Sequence, residues 1–173
     1  QLRASNEYEW QEIRVEISPT DRYVMDSITY SLNAYSYENP LPAGSYRLAD
    51  DVVLRASIVI EGNVTLDLNA KSITRDIKYS CGAFRVIGKD ASLTLMDSSE
   101  EQSGAIDLFG GGDAFPLGGG VYVDGGSLIM DGGTIYQSYA VTFGGGVYLT
   151  NAASFTMSGG AIQACEAKYH DGG

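Results

Sequence analysis

Toward the C-terminal end of the chain, apolar residues alternate with polar ones in short runs cut by glycine. Val121 and Val123 come first, then Leu128 and Met130, then Ile135 after a Gly-Gly pair. The order returns as Val147 and Leu149, Phe155 and Met157, and Ile162. Written out, the copies are GGGVYVDGGSLIMDGGTI from Gly118 and GGGVYLTNAASFTMSGGAI from Gly144, offset by 26 residues at the start and 27 at the closing isoleucines. The extra residue falls in the turn at 151–153. Alternation at period two marks half-buried strands, and a fixed offset of this size marks stacked repeats.

Paired glycines interrupt the pattern every few residues, and each costs a helix interior about 1 kcal/mol relative to alanine, so helices are excluded. The Leu and Asn ladder of leucine-rich repeats is missing. The expected fold is therefore all-β: a right-handed parallel β-helix, a solenoid with three short strands per coil, carrying an N-terminal β-strand cap. A lone copy has nothing to cover its apolar side, so stability has to come from stacking at roughly 4.8 Å per layer.

The same grammar continues upstream. Ile58 to Ile60 and Phe84 to Val86 fit the first strand slot, Val64 to Leu66 and Leu93 to Leu95 the second, and Ile73 and Ile106 the third. Interior columns are then predicted as Ile58, Phe84, Val121, Val147 and as Val64, Leu93, Leu128, Phe155. The alternate residues Tyr122, Ile129, Tyr148 and Thr156 are predicted to face outward. Insertions around 98–103 and 108–116 should leave the stack as loops.

Residues 1–43 depart from this pattern and form a cap or small accessory segment, with strands expected at 12–17 and 27–37. Residues 44–173 form the repeat domain. Its last three residues, Asp171, Gly172 and Gly173, fall where a further copy opens, so the chain is expected to be an excerpt of a longer protein.

Composition narrows the functional classes. With 11 basic and 22 acidic residues in 173, the formal net charge is −11, which repels phosphate backbones. Nucleic acid is not an expected partner. No apolar stretch has the length of a membrane span, and no membrane insertion is expected within these residues. The glycine count of 22 suits a chain with many tight corners. Cys81 and Cys165 lie ahead of different copies, about three layers or roughly 14 Å apart, beyond the separation of about 7 Å that a disulfide tolerates. Two free thiols are predicted.

The segments GGGVYV, GGSLIM, GGTI and GGAI, preceded by GSYRLADDVVLRASIVIEGNVTLDLNAKSI, resemble the adhesin-like surface repeat proteins of Gram-positive, often gut-dwelling, bacteria, within the pectin-lyase-like β-helix superfamily. The resemblance covers residues 44–173. It implies an extracellular module, at the bacterial cell surface or secreted, that displays a binding surface for host or microbial glycans or proteins without catalysis or cofactor.

Candidate binding residues are Tyr122 and Tyr148, with Arg85 beside them, in the outward column Val59, Arg85, Tyr122, Tyr148. Aromatic rings offer flat apolar faces with polar tips, suited to sugars or protein contacts. Stacking of like residues on parallel strands also produces such a column for structural reasons alone. A second outward column, Thr65, Thr94, Ile129, Thr156, is a single row broken by isoleucine and suits ordinary exposed strand positions.

The alternative function is a polysaccharide lyase or glycoside hydrolase, since the same superfamily houses both. Hydrolysis needs two carboxylates about 5 to 9.5 Å apart. Among Asp67, Asp97, Asp107, Asp124 and Asp131, the pair Asp97 and Asp131 is the one expected to meet at a corner. Both sit in Asp-Ser or Asp-Gly turns, where aspartate commonly bonds its own backbone. The glycine triplets lack the Lys-Ser or Lys-Thr of a phosphate loop. His170 is the only histidine, which leaves no histidine-based metal cluster or triad.

Overall fold

A computed structural model of the chain describes residues 10–13, 39–109 and 117–169. It contains fifteen strands and, among the described residues, no helix. In chain order they are β1 (Trp10–Ile13), β2 (Gly44–Leu48), β3 (Val52–Leu54), β4 (Ile58–Ile60), β5 (Asn63–Asp67), β6 (Ser72–Arg75), β7 (Phe84–Ile87) and β8 (Ser92–Met96). There follow β9 (Ala105–Asp107), β10 (Val121–Asp124), β11 (Ser127–Tyr136), β12 (Tyr139–Ala140), β13 (Val147–Thr150), β14 (Ser154–Gln163) and β15 (Glu166–Ala167).

Every strand pair is parallel. A nine-stranded sheet runs β1-β2-β5-β8-β11-β9-β6-β3, with β14 added on β11, and it curls into a half-barrel. A four-stranded sheet runs β13-β10-β7-β4, and β12 pairs with β15.

The chain is all-β, but the expected β-helix with three short strands per coil is not the architecture found. In the two clearest copies the second and third strand slots are not separate strands. They run on as the ten-residue strands β11 and β14, straight through their Gly-Gly pairs. The register between β11 and β14 slips at Met130, Asp131 and Thr134, the signature of an irregularity inside a strand rather than a corner between two. Glycine permits a corner and a bulge equally, and here it bends the sheet without ending it. One edge of β11 therefore holds both β8, along its first half, and β9, along its second. Two arms of one sheet result where three separate faces were expected.

Register along each column follows the alternation. Ile58, Phe84, Val121 and Val147 are direct neighbours, as are Val64, Leu93, Leu128 and Phe155. Val52, Ile73, Ile106, Ile135 and Ile162 make the third column. Phe84, Leu93, Val121, Leu128, Ile106 and Ile135 are buried almost without exposure. Each such side chain contributes about 1.5 to 3 kcal/mol of transfer free energy.

Of the expected cap, β1 adds one parallel strand beside β2, pairing Trp10 with Ser45 and Ile13 with Leu48. Residues 14–17 and the strand expected at 27–37 lie outside the described residues. So do most of the 108–116 insertion and the three residues at the C-terminal end. The 98–103 insertion is a largely exposed loop, as expected. Cys81 is buried, Cys165 is half-buried, and both are free thiols.

Candidate functional site

The outer side of the four-stranded sheet carries the candidate binding residues. Parallel pairing sets Val59 beside Arg85, Arg85 beside Tyr122, and Tyr122 beside Tyr148. At strand spacing the side chains pack on one another. The Arg85 guanidinium lies 4.8 Å from the Tyr122 ring centroid. Tyr122 and Tyr148 stack at 5.9 Å with 28° between their planes. Phe143 then stacks on Tyr148 at 5.6 Å and 15°.

Glycine makes this closeness possible. Gly118 and Gly144 adopt φ of 62° and 60°, a left-handed conformation that glycine adopts without a Cβ clash. A Cβ on Gly118 would stand 2.9 Å from the Tyr122 Cβ, and one on Gly144 would stand 2.6 Å from the Tyr148 Cβ. The chain turns directly against the tyrosines, which orients them along the sheet.

Packing within the column alters the expected surface. Tyr122 was expected to be open but is only 8 % exposed, and Val59 at the start of the column is fully buried. Arg85 covers one face of Tyr122 and Tyr148 the other, while Tyr148 lies between Tyr122 and Phe143. The stack presents ring edges and the half-buried Tyr148 and Phe143 to a partner, not the two flat tyrosine faces the sequence suggested.

A polar margin borders the rings. The Tyr122 hydroxyl donates to Asp124 Oδ2 at 3.4 Å, and Asn151 Nδ2 donates to Asp124 Oδ1 at 2.6 Å. Burial, and then the negative charge of Asp124, raise the Tyr122 pKa, with Arg85 opposing them. The hydroxyl stays protonated and able to donate across the physiological range. Phe143, Asp124 and Asn151 were not singled out as binding residues from the sequence. The signal for Phe143 was its place just before the second glycine triplet, matching Leu117 before the first; the two form a parallel bridge.

The alternative catalytic pair has different surroundings. Gly132, the residue after Asp131, is packed against the Asp97 backbone nitrogen, which stands 2.8 Å from the place of a Cβ. Asp97 is only 6 % exposed, and its carboxylate accepts from the backbone N–H groups of Ala70 at 3.0 Å, Ser99 at 3.1 Å and Gly104 at 2.5 Å. Burial pushes its pKa up, but the hydrogen bonds from Ser99, Gly104 and Ala70 outweigh burial and leave it below the ordinary value. A general acid needs the opposite shift. Asp131 is exposed and accepts from the Ser158 hydroxyl at 2.5 Å.

Asp67 is similarly committed. Fully buried, it accepts from Arg47 Nε at 2.8 Å, from the Ser98 hydroxyl and N–H at 2.6 and 2.9 Å, and from the Asn69 N–H at 3.0 Å. Arg75, one of the basic residues near the candidate acids in sequence, is buried and donates to the Cys81 and Leu108 carbonyls, both at 2.9 Å. Among the described residues, no group of three or more His, Cys, Asp or Glu is placed to hold a metal ion. No helix there is long and apolar enough to cross a membrane.

Comparison of the chain with protein-family models, with curated proteins and with solved structures finds no match.

Proposed function

We propose that this chain is a non-catalytic binding module of the adhesin-like kind, presented outside a bacterial cell on its surface or as a secreted protein, and that it contacts host or microbial glycans or proteins. The observation that carries this reading is the Arg85, Tyr122, Tyr148, Phe143 stack on the outer side of the four-stranded sheet, with Asp124 and Asn151 at its margin. Ring edges beside hydrogen-bonding groups suit a partner that is part apolar and part polar, as sugars and protein surfaces are. The non-catalytic part rests on Asp97, whose carboxylate is taken up by three backbone donors.

Tyr148 is the residue to change, because Tyr122 is buried beneath it. Tyr148→Ser should reduce binding to any ligand found on an array of glycans and host-surface proteins by roughly 10 to 30-fold, the range of an interface aromatic anchor. Undiminished binding by a folded Tyr148→Ser protein would remove the stack from consideration.

A further inference from the structure

We infer that the stack on the outer side of the four-stranded sheet takes an uncharged, polyhydroxylated sugar, and that Asp124 sets this preference. The inference rests on the binding-module reading and narrows it to one class of ligand. Tyr122 and Tyr148 offer a partner only part of each ring. Arg85 and Tyr148 cover the two faces of Tyr122, while Tyr122 and Phe143 cover those of Tyr148. What these two rings leave open is their edges, where the aromatic quadrupole is positive. A lysine or arginine from a partner is attracted to a ring face, and one such face is already taken by this chain's own Arg85. Electron-rich oxygen suits the edges instead.

The polar margin sets the complementary requirement. Asp124 is half-buried at the end of β10, and an ionised carboxylate has about four acceptor positions. Two are in use, by the Tyr122 hydroxyl at 3.4 Å and by Asn151 Nδ2 at 2.6 Å. The others can only accept, so they call for donors on the ligand. Asn151 is exposed, and with its Nδ2 on Asp124 its amide oxygen is turned away from that carboxylate as a second acceptor. A carboxylate or sulfate on the ligand would bring like charge to Asp124, which at about 4 Å weakens binding by about fivefold or more.

Oxygens for the ring edges and O–H donors for Asp124 come together in a neutral sugar. A protein partner has a different need, since interface cores are built on desolvated apolar anchors. None of the exposed large apolar side chains among the described residues belongs to the column Val59, Arg85, Tyr122, Tyr148.

The test is binding of the purified chain to five immobilised probe sets: neutral hexose and N-acetylhexosamine oligosaccharides, sialylated oligosaccharides, oligouronates, a lysine-rich peptide and glycan-free host-surface proteins. A neutral oligosaccharide is expected to bind best. Its affinity should change less than about twofold between about 0.05 and 0.5 M salt, because an uncharged ligand has little to screen. Asp124→Asn, which keeps the side chain's shape, should lower that affinity roughly tenfold by replacing a charged acceptor with a neutral one, at an unchanged circular dichroism spectrum. The inference is overturned if a sialylated or uronate probe binds best, which would give the site to Arg85, or if the peptide or a glycan-free protein does. It is equally overturned by a folded Asp124→Asn protein that holds the neutral probe undiminished. The Tyr148→Ser protein separates the two levels of the argument. Where it weakens binding of an acidic, basic or protein probe that binds best, the sugar assignment falls and the binding-module reading stands; where no probe binds the wild-type chain, both fall.

Discussion

Replacing Asp97 by alanine should destabilise the protein severely while doing nothing specific to binding. In the folded chain this carboxylate accepts from three backbone N–H groups, two of them partly buried and one, that of Gly104, buried. The Gly104 donor has no route to water once its acceptor is gone, which costs about 1 to 3 kcal/mol. The Ala70 and Ser99 donors can recruit solvent, so each forfeits only the net value of its bond, about 0.5 to 1.5 kcal/mol. Together these come to about 2 to 6 kcal/mol, and at about 2 to 4 °C per kcal/mol for a chain of this size the melting temperature should fall by about 4 to 24 °C. The loss has a pH signature. The folded pKa of Asp97 lies below the ordinary carboxylate value, so the folded state binds fewer protons than the unfolded chain in that pH range. Stability from this group is fully present above the unfolded value and disappears as pH falls through the folded one. The gap between wild type and Asp97→Ala, followed by urea unfolding between pH 7 and pH 2, should therefore narrow only in acid. Asp131→Asn, at an exposed site, should shift melting by less than about 1 kcal/mol. An Asp97→Ala protein that melts within about 2 °C of wild type would refute the hydrogen-bond accounting.

Two further outcomes follow from named residues. Burial raises the Cys81 thiol from 9.0 to about 11, with Arg75 opposing it. The folded state thus retains that proton where the unfolded chain has lost it, and the resulting stability, about 2 to 3 kcal/mol at most, is present below pH 9 and lost as pH rises toward 11; chemical unfolding of wild type against Cys81→Ala should show that difference shrinking across the window, and a constant difference would contradict it. Ala152 is exposed in the turn between β13 and β14 with φ of 59°, where a Cβ is strained, so Ala152→Gly should raise stability by about 0.5 to 1 kcal/mol in thermal melts, and a fall would show that the strain is not there.

Period-two alternation was enough to place Ile58, Phe84, Val121 and Val147 in one column, because a slip of one residue would have turned each of them outward. What alternation cannot encode is how a strand continues past a glycine pair. Gly132 and Gly133 allow either a corner or a bulge, and the outcome depends on where β8 and β9 pair along β11. The same limit applies to the site. Alternation put Arg85, Tyr122 and Tyr148 on one side of the sheet, but whether a ring is open depends on its neighbours' rotamers and on Phe143, which lies in no strand. Asp97 was legible as a turn aspartate. One of its three donors, Ala70, comes from the turn after β5, and the other two, Ser99 and Gly104, lie in and just after a loop, 98–103, that has no pattern to read.

The two arms of the large sheet become a single strand in β11 and again in β14, and the register between these two changes midway, between Met130 and Thr134. That place is a mechanical hinge line. Thermal breathing that spreads β8 from β9 has to flex those few residues while leaving the columns on either side intact. Amide hydrogens around Asp131 and Gly132 should therefore exchange sooner than those of Leu128 or Ile135, although all belong to the same continuous strand.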